Sequence, residues 1–217
     1  GSAYVFERRG SWELTATLSP ADPSYNKLFG RSVSISGTTV LCGAFGDSSS
    51  YDGAGAAYIF ERNTSAWTQM DKLLAPDGSN LDQFGGSVAI DDGVCLVGTE
   101  GDESAYIFDQ DPSGWKFRSK LVASDGSQMQ ADGFGESVAI ENEHVLVGAQ
   151  FDDGGGGNAG SAYLFQLPSY ATSYCFGSGC PCGNDDPTHG CANSTNGVGV
   201  NRRGALLAAC GSASVTS

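Results

Sequence analysis

The sequence has little positive charge, few histidines and no long apolar run. Lysine and arginine together number 11 against 25 aspartate and glutamate residues, for a formal net charge of −14. A chain this acidic repels nucleic acid, so we expect no nucleic-acid partner. No stretch reaches the roughly 18 apolar residues that a bilayer-spanning helix needs, so we expect no membrane span. With only two histidines and no phosphate-binding or dinucleotide fingerprint, the chain offers little for catalysis to use.

Proline is also scarce, at 7 residues, whereas glycine is abundant at 32. This combination favours many short strands joined by tight turns over a disordered tract rich in both residues. Hydrophobic residues make up 40% of the chain, which is enough to bury a core. The composition therefore points to an all-β globular protein.

Several motifs recur in the same order at intervals of about fifty residues. Ala-Tyr-x-Phe segments carry Tyr4, Tyr58, Tyr106 and Tyr163. Phe-Gly followed by Ser-Val-x-Ile begins at Phe29, Phe84 and Phe134. A tryptophan that precedes a leucine by six residues, itself followed four residues later by an aspartate, occurs at Trp12, Trp67 and Trp115. A glycine that closes a hydrophobic run occurs at Gly43, Gly98 and Gly148. So many fixed offsets in three copies indicate a repeat architecture.

Each unit contains four segments that resemble strands. In the Trp segment Trp12, Leu14, Ala16 and Leu18 alternate onto one face. The Ser-Val-x-Ile segment follows, then a valine-rich run such as 145–147, then Ala-Tyr-x-Phe. The last two segments are almost continuously apolar, so both of their faces must be covered. Four-stranded sheets stacked face to face in a β-propeller would cover them.

We therefore predict an all-β fold of propeller-type four-stranded blades. It comprises three complete units at 12–60, 67–108 and 115–165, preceded by an unpaired strand at 2–6. The predicted domains are the repeats at 1–165 and a small cysteine-rich segment at 166–217. Three blades leave open edges and an apolar face at each end, which predicts either a fragment of a longer protein or a self-assembling one.

The ordered motifs of residues 1–165 resemble the FG-GAP repeat of bacterial secreted proteins, a relative of the blades of integrin α subunits. The resemblance implies an integrin-type β-propeller, an extracellular or cell-surface location, and a role in adhesion or ligand binding. It implies no particular ligand.

The same resemblance raises the question of calcium, because integrin blades carry Asp and Asn at alternate positions in a loop between strands. The candidate ligands are Asp47 and Asp52 in the first unit, and Asp152, Asp153 and Asn158 in the third. The corresponding loop of the second unit is cut short. Calcium needs six to eight oxygen ligands, and these residues supply only part of that number. The alternative is that they are solvated turn residues.

Five of the seven cysteines lie in the segment after the repeats. These candidates for disulfide bonds are Cys175, Cys180, Cys182, Cys191 and Cys210. A short segment with little core needs such cross-links, and the odd number leaves one thiol free or bridging chains. Zinc bound by Cys180, Cys182, His189 and Cys191 is an alternative, although Cys-x-Cys spacing is unusual for structural zinc. The segment also resembles the C-terminal module of planctomycete-like secreted proteins.

Two cysteines and one glycosylation sequon lie within the repeats. Cys42 and Cys95 stand where other units have valine, so we expect two buried, unpaired thiols. The sequons begin at Asn63, and at Asn193 in the cysteine-rich segment.

We expect a non-enzymatic binding or adhesion module that engages a protein or a glycan. The acidic residues recur at framework positions, which favours a structural role over catalysis. The alternative is a structural subunit that self-assembles into a ring or filament by pairing open blade edges between copies.

Overall fold

The structure is a computed structural model that describes residues 1–64, 66–125 and 132–168. This part of the chain consists of strands, turns and loops without a helix. It accordingly contains no helix long and apolar enough to cross a membrane. One compact unit comprises Gly1–Leu167. The cysteine-rich segment predicted at 166–217 lies almost wholly outside the described residues, so its domain boundary stays a prediction.

Thirteen strands follow one another along the described chain. They are β1 (Ala3–Arg9), β2 (Ser11–Leu18), β3 (Val33–Ser36), β4 (Thr39–Ala44), β5 (Ala56–Arg62), β6 (Trp67–Leu73), β7 (Phe84–Asp91), β8 (Val94–Thr99), β9 (Ser104–Asp111), β10 (Gly114–Leu121), β11 (Phe134–Glu141), β12 (His144–Ala149) and β13 (Ser161–Gln166).

These strands form four antiparallel sheets. The first sheet is β1-β2, the second β3-β4-β5-β6, the third β7-β8-β9-β10 and the fourth β11-β12-β13. The second and third sheets are complete four-stranded meanders of the kind that forms a propeller blade. The predicted all-β, propeller-type fold is confirmed.

The grouping of strands into sheets differs from the predicted units. Each Trp strand pairs with the strand before it, so that β2 pairs with β1, β6 with β5 and β10 with β9. The predicted units instead joined each Trp segment to the strands after it and left 2–6 unpaired. The reason is connection length: only Gly10 separates β1 from β2, whereas residues 19–32 separate β2 from β3. A tight turn enforces a hairpin, and a long connection allows the chain to cross to the next sheet.

Consecutive sheets pack face to face, and alternate residues of one strand enter opposite cores. In β4, Val40 and Cys42 pack in the core shared with the first sheet, while Leu41 packs in the core shared with the third. In β8, Val97 and Leu96 divide in the same way between the second and fourth sheets. The expectation that these strands are covered on both faces is confirmed.

The two cysteines of the repeats are fully buried and unpaired, as expected. They lie in different cores, Cys42 beside the first sheet and Cys95 beside the second. Burial raises the pKa of Cys42 to about 12 and that of Cys95 well above its ordinary value. Both thiols therefore stay protonated and behave as small apolar side chains.

The Phe-Gly pairs anchor each sheet to its neighbour. The Phe84 ring is fully buried and meets Tyr106 and Phe108 edge to face, with centroids 5.5 and 6.0 Å apart. Gly85 has a φ of +91°, and a Cβ there would clash with the carbonyl of Ala56 in the preceding sheet. Glycine is thus required both for its backbone conformation and for the close approach of two sheets.

Candidate functional site

A tyrosine hydroxyl marks the same position in the second, third and fourth sheets. The three residues are Tyr58 in β5, Tyr106 in β9 and Tyr163 in β13. Each ring packs edge to face on the phenylalanine of its Phe-Gly pair, with centroids 5.6, 5.5 and 5.3 Å apart respectively. Each hydroxyl contacts two aspartates: one from the connection before the sheet and one from the loop between its second and third strands. We name these groups the Tyr58, Tyr106 and Tyr163 clusters.

The Tyr106 cluster contains one lysine. The hydroxyl lies 2.7 Å from a carboxylate oxygen of Asp77 and 2.7 Å from one of Asp102. The Lys120 ammonium lies 2.8 Å from Asp77 and 2.7 Å from Asp102. Lys120 reaches this position because it stands directly opposite Tyr106 in the pairing of β10 with β9.

The Tyr58 cluster contains two lysines. Lys72, which stands opposite Tyr58 in β6, lies 2.8 Å from Asp22 and 3.0 Å from Asp47. Lys27 contacts the same carboxylates at 2.8 and 2.6 Å and donates to the Tyr58 hydroxyl at 2.9 Å. Two ammonium groups therefore balance two carboxylates, of which Asp47 is buried and Asp22 is exposed.

These contacts shift the protonation of the cluster residues. Burial by itself would raise the pKa of Asp22, but hydrogen bonds from Lys27, Lys72 and Tyr58 lower it to about 2. Burial likewise opposes the charge of Asp47, and the same kinds of hydrogen bond hold its pKa below the ordinary value. The carboxylates are thus ionised at neutral pH and act as ion-pair partners.

The Tyr163 cluster has the tyrosine and both aspartates but no lysine. The hydroxyl lies 2.6 Å from Asp125 and also contacts Asp152, whose other oxygen accepts a hydrogen bond of 2.7 Å from the Gly154 amide. Within residues 1–64, 66–125 and 132–168, neither aspartate forms a salt bridge. No strand of this part of the chain lies on the far side of β13 to supply the lysine.

The calcium candidates of the first unit lie in different surroundings. Asp47 is 1% exposed, its Oδ2 contacts the ammonium groups of Lys27 and Lys72, and its Oδ1 accepts hydrogen bonds from Ser49. Asp52 is exposed and lies near the Ser48 hydroxyl, at 3.4 Å. A calcium ion bound by this pair stays a prediction.

The candidates of the third unit share one loop. Asp152 is committed to the Tyr163 cluster, and Asp153 accepts a 2.6 Å hydrogen bond from the backbone amide of Asn158. In the described ranges no group of three or more His, Cys, Asp or Glu side chains is placed to hold a metal ion. Calcium at this loop stays a prediction.

The remaining candidates fall mostly outside the described residues. Asn63 is exposed in the turn between β5 and β6, but Ser65 of its sequon is not described. The predicted disulfide candidates, the alternative zinc ligands and the second sequon also lie outside, namely Cys175, Cys180, Cys182, His189, Cys191, Asn193 and Cys210.

A second feature is a surface of loops at one end of the sheets. The connections at 19–32 and 74–83 and the loops at 45–55, 100–103 and 150–160, each between the second and third strands of its sheet, all lie at this end, because the meander brings them there. Backbone hydrogen bonds join them, from the Gly46 amide to Lys27 at 3.1 Å and from the Leu81 amide to Asp52 at 2.8 Å. The loops therefore form a continuous surface.

Large apolar side chains are exposed on these loops. Tyr25 is 98% exposed, Tyr51 53%, Leu81 60% and Leu28 44%. We name these four residues the loop surface. Leu28 and Leu81 also have φ values of 55° and 64°, a region that leucine rarely adopts. The surrounding hydrogen bonds hold this strained backbone in place.

The sequence analysis did not predict which residues form the clusters or which apolar side chains are exposed on the loops. Asp82, which is close in sequence to Asp77, lies outside the clusters and accepts a hydrogen bond from the Ser79 hydroxyl. Two repeated features of the sequence could have indicated the clusters. One is the aspartate at a fixed offset after the Trp segment, and the other is a lysine five residues after Trp67 and Trp115. The exposed loop residues carry no repeated motif, so only the structure identifies them.

The sheets, the Phe-Gly anchors and the repeated clusters define a β-propeller-like repeat protein. The chain belongs to the FG-GAP repeat family, whose model matches residues 12–60, 67–108 and 115–165. No curated protein matches the chain. One similar solved structure, a protein from Lactobacillus plantarum, has 11% sequence identity and a TM-score of 0.36 over 64% of this chain. The match covers 42% of that structure's own length, and so low a score supports no inference about function.

Proposed function

We propose that this chain is a non-enzymatic binding or adhesion module that acts outside the cell or at its surface. Its partner is a protein or a glycan that docks on the loop surface. The observation that carries the proposal is the exposure of Tyr25 and Tyr51 on loops whose backbone is fixed by hydrogen bonds. Exposed apolar side chains on a rigid support are typical of interaction sites, where tyrosine often carries much of the binding energy.

The absence of catalysis is part of the same proposal. A general acid at neutral pH needs a raised carboxyl pKa, whereas Asp22 has a pKa of about 2 and those of Asp77 and Asp102 are also lowered. Lysines bind these carboxylates, so the carboxylates stabilise the loops instead of serving as acids or bases. This arrangement supports a structural role for the acidic residues of the clusters.

The proposal also includes the location of the protein, the type of its C-terminal segment and a bound calcium ion. FG-GAP repeats are typical of extracellular proteins, which supports the location. A secreted bacterial type with a disulfide-containing, planctomycete-like C-terminal segment agrees with that location, because disulfides persist in oxidising compartments. A calcium ion in the loop of Asp152, Asp153 and Asn158 is a further part of the proposal.

The loop surface can be tested by binding to two panels, a glycan array and a set of immobilised extracellular matrix proteins. The variant Tyr25→Ser/Tyr51→Ser removes both rings, and Tyr4→Ser is the matched control because Tyr4 is 61% exposed but lies in β1. We expect wild type and control to bind the same probe, and the loop variant to bind it at least about tenfold more weakly. Equal binding by the loop variant, or no binding of wild type to either panel, would contradict the proposal.

A second candidate function is self-assembly into a ring or filament. A separate observation favours it: the faces that interior sheets bury are exposed at the two ends of the stack. Tyr4 in the first sheet is 61% exposed, whereas its counterparts Tyr58 and Tyr106 are 0% exposed. Leu164 in the fourth sheet is 68% exposed, whereas its counterpart Ile107 is 0% exposed. Two such faces on one chain are suited to head-to-tail contact between copies.

A further inference from the structure

We infer that β13 is the docking edge for an extended, lysine-bearing strand of another polypeptide. The incoming strand completes the fourth sheet and places its ammonium group in the Tyr163 cluster. This site is separate from the loop surface and does not depend on the function proposed for it.

The first line of support is the state of the strand edge. In the second and third sheets, β5 and β9 are each paired on both sides. Among the described residues β13 is paired only with β12, so one row of its backbone donors and acceptors faces outward. An edge of this kind can accept an extended segment by main-chain hydrogen bonding.

The second line of support is the register that the molecule already uses twice. Lys72 stands opposite Tyr58, and Lys120 stands opposite Tyr106. The next residue of each strand is a leucine opposite an alanine, in the pairs Leu73 with Ala57 and Leu121 with Ala105. Applied to β13, this register places a lysine opposite Tyr163 and a leucine opposite Ala162.

The third line of support is charge. In the Tyr106 cluster the ammonium group of Lys120 offsets part of the negative charge of two carboxylates, through contacts of 2.8 and 2.7 Å. The Tyr163 cluster has the same two carboxylates around one hydroxyl but no salt bridge to them in the described chain. One lysine would restore the arrangement seen in the third sheet, and a charge-assisted hydrogen bond to a partly buried carboxylate is among the stronger polar contacts.

The strand must come from outside the described sheets. The Trp strands β2, β6 and β10 are already paired within their own sheets, and β2 carries Thr17 in place of the lysine. All four lysines of the sequence, Lys27, Lys72, Lys116 and Lys120, lie in the part of the chain already described, so residues 126–131 and 169–217 contain no lysine to supply. The expected partner is therefore an extended segment of a second polypeptide, with the sequence Lys-Leu near its end and an aromatic residue five positions before the lysine.

The test uses the full chain and a synthetic peptide with the sequence of 114–121, labelled with a fluorophore. A second peptide carries Lys120→Gln. Binding is measured by fluorescence anisotropy with the wild-type chain, with Asp125→Asn, and with the matched control Glu141→Gln, an exposed carboxylate at the end of β11 that lies outside the Tyr163 cluster and the calcium candidates. Asp125 is exposed and accepts a hydrogen bond from the Tyr163 hydroxyl. An asparagine side-chain oxygen can accept the same hydrogen bond, so we expect the variant to retain its fold.

We expect the lysine peptide to bind wild type and Glu141→Gln equally, and the glutamine peptide to bind at least about tenfold more weakly. Asp125→Asn should weaken binding of the lysine peptide much more than that of the glutamine peptide, which shows coupling between the two groups. Hydrogen exchange should show protection of the β13 amides when the lysine peptide is bound. The loop variant Tyr25→Ser/Tyr51→Ser should bind the peptide as wild type does.

Three results would overturn the inference. One is equal affinity of the lysine and glutamine peptides for wild type. Another is a loss of affinity in Glu141→Gln as large as in Asp125→Asn. The third is no binding of the lysine peptide at all, including the case in which another segment of this chain already covers the edge of β13.

Discussion

At the residue scale, glycine determines how closely the sheets approach. A Cβ at Gly98 would clash with the carbonyl oxygen of Gly135 in the next sheet, and Gly43 stands in the same relation to Gly85. The Ser87 hydroxyl donates to the Gly135 carbonyl at 2.6 Å, which locks the contact. Glycine is therefore required at Gly43 and Gly98 by the close approach of two sheets and not by a positive φ.

Gly98→Ala should therefore destabilise the fold. The added methyl would meet the backbone of the neighbouring sheet and also the Ser87 hydroxyl. Because that backbone cannot move aside as a side chain can, we expect a loss of about 1–3 kcal/mol in the free energy of unfolding, the usual cost of overpacking. Gly157→Ala is the matched control, since nothing lies within 4 Å of a Cβ there. Urea unfolding measures both. Similar midpoints for the two variants would show that the sheets can move apart at little cost.

At the scale of elements, the clusters join each sheet to the loops at its end. In the second sheet a lysine of β6, a tyrosine of β5 and aspartates from two loops meet at one point. The pattern of apolar residues predicted these strands. Successive side chains of a strand point to opposite faces, so the pattern shows whether one face or both must be buried. Their pairing was not predictable from the same pattern, since it depends on which connections are short.

The Tyr58 cluster should make the stability of the fold dependent on pH in the acid range. The pKa of Asp22 is about 2 in the folded chain against an ordinary 3.8. A lowered folded pKa gives stability that is fully present above the ordinary value and is lost as the pH falls towards the folded value. Between pH 4 and pH 2 the wild-type chain should therefore lose stability.

The variant Asp22→Asn should lose less stability than wild type over that range. The control is Asp52→Asn, which removes an exposed carboxylate outside the clusters. Urea midpoints at pH 4 and pH 2.5 give the comparison. If wild type and Asp22→Asn weaken by the same amount, the ion pairs of Asp22 contribute nothing to the fold.

At the scale of the whole molecule, the repeated sheets leave two different apolar faces at the ends of the stack. The first sheet exposes Tyr4, Phe6 and Trp12, the last at 70%, and the fourth exposes Leu146 and Leu164. Inside the stack the corresponding faces cover each other. A repeat protein gains stability mainly from such contacts between neighbours.

If copies associate through these faces, the mass measured by size exclusion with light scattering should rise with concentration above the 22.3 kDa of one chain. Leu164→Lys should prevent the rise, because it places a charge in the contact. Tyr51→Lys, on the loop surface, should leave it unchanged. A constant mass of one chain at every concentration would exclude the self-assembly candidate.

The sequence alone determined the repeat, the strand segments and the burial of two-faced strands, because side-chain periodicity and fixed offsets are local properties of the chain. It placed Cys42 and Cys95 in the core because they stand where other units have valine. The tertiary structure decided which strands share a sheet, which aspartates meet Tyr58, Tyr106 and Tyr163, and which loop side chains, such as Tyr25, are exposed. Those outcomes depend on connection length and on residues far apart in the chain meeting across a sheet, and no local pattern encodes them.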